Sequence, residues 1–170
     1  MIDIINTRAS LNDRIFIYYA GLSGKLYQKN MIPIFEKKLF EAKRDTEKYQ
    51  LNQILARLGR QKSVLAIQDS LRKMNIEDRL WQENVFLYVR QKPVIDLLLK
   101  DLLSNERGTS YFEGWMEKPL EKICAYDALK LLSKIVKDFP VKGKENYSEF
   151  DLEIARSWIK KHKNDYIIGE

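Results

Sequence analysis

Apolar residues recur along this chain at steps of three and four, the period that places them on one face of a helix. Leu51, Ile54, Leu55 and Leu58 form the clearest stripe, and Gly59 follows it, where a residue free to adopt positive φ can end a helix. Pro93 opens a second apolar run, in a first turn where its missing N–H costs nothing. A third stretch, residues 120–139, carries Leu120, Ile123, Cys124, Leu129, Leu132 and Ile135 before Phe139-Pro140 stops it. The next runs from Ser148 to about Lys163. Its opening Ser148-Glu149-Phe150-Asp151 lets Ser148 cap and Asp151 complement the helix dipole, and Leu152, Ala155 and Ile159 with Trp158 supply its stripe. Nearer the N-terminus, Ser10 with Asp13 resembles a capping box for a helix through about Ala20, and Pro33 opens another through about Arg44. Period-two alternation bounded by hairpin turns is not found, so the pattern predicts an all-α protein.

Two of these segments are copies of each other. Arg60-Gln61-Lys62-Ser63-Val64 returns thirty positions later as Arg90-Gln91-Lys92-Pro93-Val94. Before the motif, Leu51, Leu55 and Leu58 align with Trp81, Val85 and Tyr88; after it, Val64, Leu65 and Ile67 align with Val94, Ile95 and Leu97. Each unit therefore reads as a helix, a tight turn and a second helix, with Trp81 and Tyr88 in the core. Asn84 aligns with Ile54 and is expected to bury its amide against a neighbouring backbone. The chain reads as one domain over residues 1–170. N-terminal helices occupy 1–45, the two repeat units 46–105, an irregular loop 106–119 and a helix pair 120–163.

Over Leu51 to Asn105, with Leu55-Ala56-Arg57-Leu58-Gly59 before a turn and an apolar helix after it, the chain resembles HEAT-type repeats. The likeness is weaker over Lys118 to Lys163. It departs from the family pattern in having Val89 where Gly59 sits in the first unit, and in a shorter repeat. The resemblance implies stacked antiparallel helical hairpins in a short right-handed superhelix that binds other macromolecules, and implies no specific activity.

Composition agrees with a globular fold. Hydrophobic residues make up 45% and charged residues 32%, with 7 Gly and 4 Pro, and a chain of 170 residues can bury roughly 70% of its unfolded surface. Cys124 is the single cysteine, which rules out an internal disulfide and suits a reducing cytosol; its flanks Ile123, Ala125 and Leu129 read as a buried helix face. Asp3 and Asp13 spoil the N-terminus as a signal peptide, and the apolar run Ile15 to Leu22 is too short to cross a bilayer. A cytoplasmic protein without a membrane partner is expected, monomeric or weakly dimeric through an exposed end of the array.

Candidate chemistry is sparse. Gly24-Lys25 lacks the preceding strand and the spacing of a phosphate-binding loop, and His162 with Cys124 cannot close a tetrahedral zinc site. His162 suits the C-terminus of its helix better than a nucleophile pair. Glu113, Glu117 and Glu121 are four apart, a spacing at which like charges normally face solvent. The expectation is a non-enzyme that needs no cofactor or metal. Large side chains in the irregular loop, Tyr111, Phe112 and Trp115 with Arg107, are the candidate anchors for a protein partner.

The formal charge of +6 and a pI near 9.2 also admit an anionic partner. Arg60, Lys62, Arg90 and Lys92 occupy equivalent turns, which a solenoid would align as a basic stripe, and Lys142, Lys144, Lys160, Lys161 and Lys163 gather near the C-terminus. The leading expectation is therefore a non-catalytic module that binds another protein. One alternative is an immunity protein that masks a bacterial toxin. Another is nucleic-acid binding through the basic stripe, as in helical-repeat DNA-repair proteins.

Overall fold

The computed structural model describes residues 14–110, 120–144 and 146–169, and it is predominantly helical. Two compact units divide it, Met1–Ser70 and Leu71–Glu170. The helices are α1 (Arg14–Lys25), α2 (Ile32–Glu41), α3 (Asp45–Arg57), α4 (Gln61–Arg72), α5 (Ile76–Leu80), α6 (Glu83–Val89), α7 (Lys92–Leu103), α8 (Ala125–Ile135) and α9 (Glu149–His162). Strands β1 (Arg107–Ser110) and β2 (Leu120–Ile123) lie between α7 and α8. No helix among the described residues is long and apolar enough to cross a membrane.

In the first unit α3 packs against both α1 and α2. The Ser10–Asp13 box lies outside the described residues. Pro33 stands in the first turn of α2, as its sequence position predicts. The stripe Leu51, Ile54, Leu55 and Leu58 is buried together with Met31 and Phe35, giving this unit its core. Gly59 has φ +87°, and the end of α3 is closed by two backbone bonds, Gly59 N–H to the Ala56 carbonyl (2.9 Å) and Arg60 N–H to the Leu55 carbonyl (2.9 Å). That is a Schellman closure, which leaves few terminal carbonyls unsatisfied. Helix α1 ends the same way with a different residue. Tyr27 takes φ +51°, its amide bonds the Gly24 carbonyl (3.1 Å) and the Gln28 amide bonds the Ser23 carbonyl (3.0 Å). The Arg57 guanidinium lies over the Tyr27 ring, 4.7 Å from its centroid, and helps hold that conformation.

The second unit centres on α7, buried through Val94, Ile95, Leu97, Leu98, Leu99 and Leu102 and packed on α8, α9 and α6. Pro93 is in its first turn, as expected. The helix expected to lead into this unit is interrupted. Asn75 caps α5 by accepting the Asp78 amide (2.8 Å), and the chain turns at Trp81-Gln82 before α6 begins. The break resets the helical phase, so Val85, Phe86 and Val89 turn inward. Trp81, read from the sequence as core, is 66% exposed, and Asn84, read as a buried amide, is exposed. The left-handed residue also moves one place on from the position of Gly59, to Arg90 with φ +48°.

The segment expected to be an irregular loop and the start of a helix instead supplies an antiparallel ladder, with Arg107 opposite Ile123, Gly108 opposite Lys122, Thr109 opposite Glu121 and Ser110 opposite Leu120. The Cys124 amide continues it by bonding the Glu106 carbonyl (3.0 Å). Helix α8 is therefore shorter than the expected 120–139 at both ends, since Val136 pairs with Ile168 in an isolated bridge. Ser148 caps α9 as expected, and the Asp151 side chain reaches back to complete a capping box; His162 is the helix's last residue, stacked on Trp158 at 4.8 Å. Beyond α9 the chain folds back. The Lys137 amide bonds the Ile167 carbonyl (2.8 Å), the Gly169 amide bonds the Ile135 carbonyl (2.7 Å), and the buried Tyr166 donates to Asp96 (2.8 Å).

Candidate partner-binding cleft

A cleft of about 650 Å³ opens in the second unit, bounded by three walls. Helix α5 and the turn after it contribute Glu77, Leu80 and Trp81, with Glu83 at the start of α6. The ladder partners Gly108 and Lys122, with Cys124, contribute the second wall, and Asp127, Lys130 and Leu131 of α8 the third. Space is tight at residue 108. A Cβ there would lie 3.0 Å from Cys124 Sγ and 3.1 Å from Glu77 Cδ, so glycine allows β1 to close against α5.

Ion pairs hold the walls together. Lys134 Nζ meets Glu83 Oε1 at 2.7 Å and ties α6 to α8, while Lys122 pairs with Asp127 at the mouth. Beneath α5, Arg79 grips Asp101 of α7 through two bonds, Nε to Oδ2 at 2.8 Å and Nη2 to Oδ1 at 2.5 Å, and donates a third to the Met74 carbonyl (2.9 Å). Both side chains are largely withdrawn from water. Burial pushes the Asp101 carboxyl up, and the Arg79 fork opposes that rise; the same hydrogen bond keeps Arg79 charged. Arg156 of α9 braces the far end of α7 by donating to the carbonyls of Leu102 (2.9 Å) and Ser104 (2.7 Å), which places the first residues of the hairpin.

Cys124, a nucleophile type, belongs to the cleft's second wall but is withdrawn from solvent. It is 3% exposed, and burial, followed by the carboxylates of Glu106, Glu77 and Asp127, pushes its thiol up. A thiol that stays protonated is a poor nucleophile. No group of three or more His, Cys, Asp or Glu among the described residues could hold a metal ion. A smaller cavity of about 270 Å³ adjoins the cleft, sharing Lys122, Asp127 and Lys130 and adding Tyr126, Asn146 and Tyr147. Tyr147 is positioned by a 2.9 Å bond between its hydroxyl and that of Ser133.

The residues singled out from the sequence fall in several places. Arg107 begins β1 with an exposed side chain, whereas Tyr111, Phe112 and Trp115 lie outside the described residues. In the first unit Arg60 pairs with Glu36 and Lys62 is exposed on the first turn of α4. In the second, the Arg90 side chain donates to the carbonyls of Leu87 (2.9 Å) and Gly169 (2.9 Å). Lys92 donates to Asp96 (3.0 Å) and the Lys163 carbonyl (3.0 Å), and lies over the Tyr166 ring. Arg90 and Lys92 thus fasten the returning C-terminal segment.

Sequence reasoning missed Trp81 because the repeat alignment carried the phase of the first unit onto the second. The available signal was Asn75-Ile76-Glu77-Asp78, a cap with its acidic third residue, which starts a new helix just before the tryptophan. No protein-family model, curated protein or solved structure matches this chain, so the cleft is read from its own residues.

Proposed function

We propose that this chain is a non-catalytic helical module that binds another protein, and that the Trp81 cleft is its contact site. The observation that carries the reading is an indole 66% exposed at the lip of a cavity of about 650 Å³. Tryptophan is costly to leave in water and is enriched among residues that dominate binding energy at interfaces. The protonated, buried Cys124 thiol favours binding over thiol catalysis at this site. The thirty-residue recurrence favours a HEAT-like origin for residues 51–105.

The test is affinity capture from native lysate with wild type and Trp81→Ala, with and without nuclease, at 50 and 200 mM salt. Because the ring is exposed, Trp81→Ala should change stability by no more than about 0.5 kcal/mol. A protein partner that survives nuclease and salt and is lost with the variant supports the reading. Capture of nucleic acid that weakens by about 10³–10⁵ over that salt range would replace it with the nucleic-acid alternative.

A further inference from the structure

The walls of the cleft differ in charge. On the side of α5 and α6 the described lining residues are Glu77, Leu80, Trp81 and Glu83, two carboxylates and an indole with no basic residue among them. The lysines of the lining, Lys122 of β2 and Lys130 of α8, belong to the other two walls, where Lys122 pairs with Asp127. Trp81 follows Glu77 by one helical turn, its amide bonding the Glu77 carbonyl (3.1 Å), so ring and carboxylate rise from one face of α5. Leu80 is buried, which leaves the indole, 66% exposed, as the apolar surface of this wall. The field at Cys124 agrees in sign: after burial, the carboxylates of Glu106, Glu77 and Asp127 push its thiol up, and Lys122 opposes them. The positive excess of the whole chain lies elsewhere in the sequence. Residues 1–70 carry 12 Lys and Arg against 7 Asp and Glu, whereas residues 71–170 carry 18 against 17.

We infer that the segment received here is basic: an arginine of the partner lays its guanidinium on the Trp81 indole and bonds the Glu77 carboxylate one turn before the ring. This rests on the cleft being the contact site and adds the chemistry of the partner. A planar guanidinium stacks on aromatic faces, and indole is the strongest of these partners for a cation. The N–H groups of a stacked guanidinium point outward in its own plane, where a carboxylate at the edge of the ring can accept them. A carboxylate offers about four lone-pair sites, so Glu77 can accept such a bond alongside the contacts it makes within the chain.

A displayed library of random peptides, panned against the full chain and sequenced, reads the preference without knowledge of the natural partner. The selected peptides are then titrated by fluorescence anisotropy against wild type, Trp81→Ala, Glu77→Gln and Glu153→Gln. Glu153 is exposed on α9 and lines neither cavity, so its neutralisation changes net charge equally and leaves the cleft intact. Selection should enrich Arg. Trp81→Ala and Glu77→Gln should each weaken the peptides about tenfold, equivalent to 1.4 kcal/mol, and Glu153→Gln by less than about twofold. Citrulline in place of the selected arginine keeps its shape without its charge. That exchange should cost wild type about tenfold and cost Glu77→Gln almost nothing further, as coupled groups do. If Glu77→Gln does not fold, the citrulline peptide is compared on wild type and Trp81→Ala, where the same pattern is expected.

Acidic selected peptides, no enrichment of Arg, or equal losses from Glu77→Gln and Glu153→Gln would overturn the inference. Peptides that depend on Trp81 but ignore Glu77, or that bind as well with citrulline, overturn it while leaving the cleft as contact site. Peptides indifferent to both residues overturn the cleft reading as well.

Discussion

Asp151 shows how much a single cap residue sets. Its carboxylate accepts from Lys144 (2.7 Å) and from the Ser148 amide (2.9 Å) and hydroxyl (2.8 Å), and these bonds, the lysine's first, hold its pKa down from 3.8 to about 2. The folded carboxyl lies below its unfolded value, so between these two values the unfolded chain binds more protons. The stability it contributes is fully present above about pH 4 and is lost as pH falls toward about 2. Ser148→Ala removes one of its acceptor bonds and the hydroxyl cap of the Asp151 amide. It should lower Tm at neutral pH and flatten the decline of Tm between about pH 4 and pH 2, which calorimetry across that range would read. A variant whose acid decline matches wild type would show that Ser148 does not tune this carboxyl. This cap was legible in the sequence because both partners lie within four residues. The state of Cys124 was legible only in part: its burial follows from its apolar neighbours, but the carboxylates that hold the thiol up come from α5, the hairpin start and α8.

At the level of elements, local chemistry was readable and phase was not. Gly59, Pro33 and Pro93 each mark the helix boundary their backbone preferences predict, because a boundary depends on a few adjacent residues. The repeat alignment carried helical phase across thirty residues, and the turn at Trp81-Gln82 reset it. The hairpin was hidden for another reason. Its strands are four residues each, too short for a period-two pattern, and Gly108 is fitted to Cys124 and Glu77 by tertiary closeness alone. What holds α5 at the cleft is likewise long-range, the Arg79–Asp101 fork spanning 22 positions. Arg79→Ala leaves Asp101 buried without its partner and should cost about 3–5 kcal/mol in urea unfolding. Arg79→Met combined with Asp101→Leu should recover most of that loss, since two apolar groups need no counter-charge. Equal losses from the single and double variants would mean the fork contributes mainly shape.

Across the whole molecule, the basic residues divide between fastening and display. Arg90 and Lys92 were legible as a recurring pair, but their use was not, since the groups they hold lie 79 and 71 positions away in the returning segment after α9. The returning segment has its own consequence for how the second unit opens. Chain ends ordinarily fray, and their amides exchange with solvent within moments. Here the Gly169 amide is bonded to Ile135 at the end of α8, Ile168 bridges to Val136, and the Lys137 amide is held by Ile167. In deuterated buffer these amides of Gly169 and Lys137 should therefore exchange at the pace of the α8 core amides and not at the pace of a free end. Residues 167–169 are then expected to latch the second unit, their amides losing protection together with those of α8 and not before them.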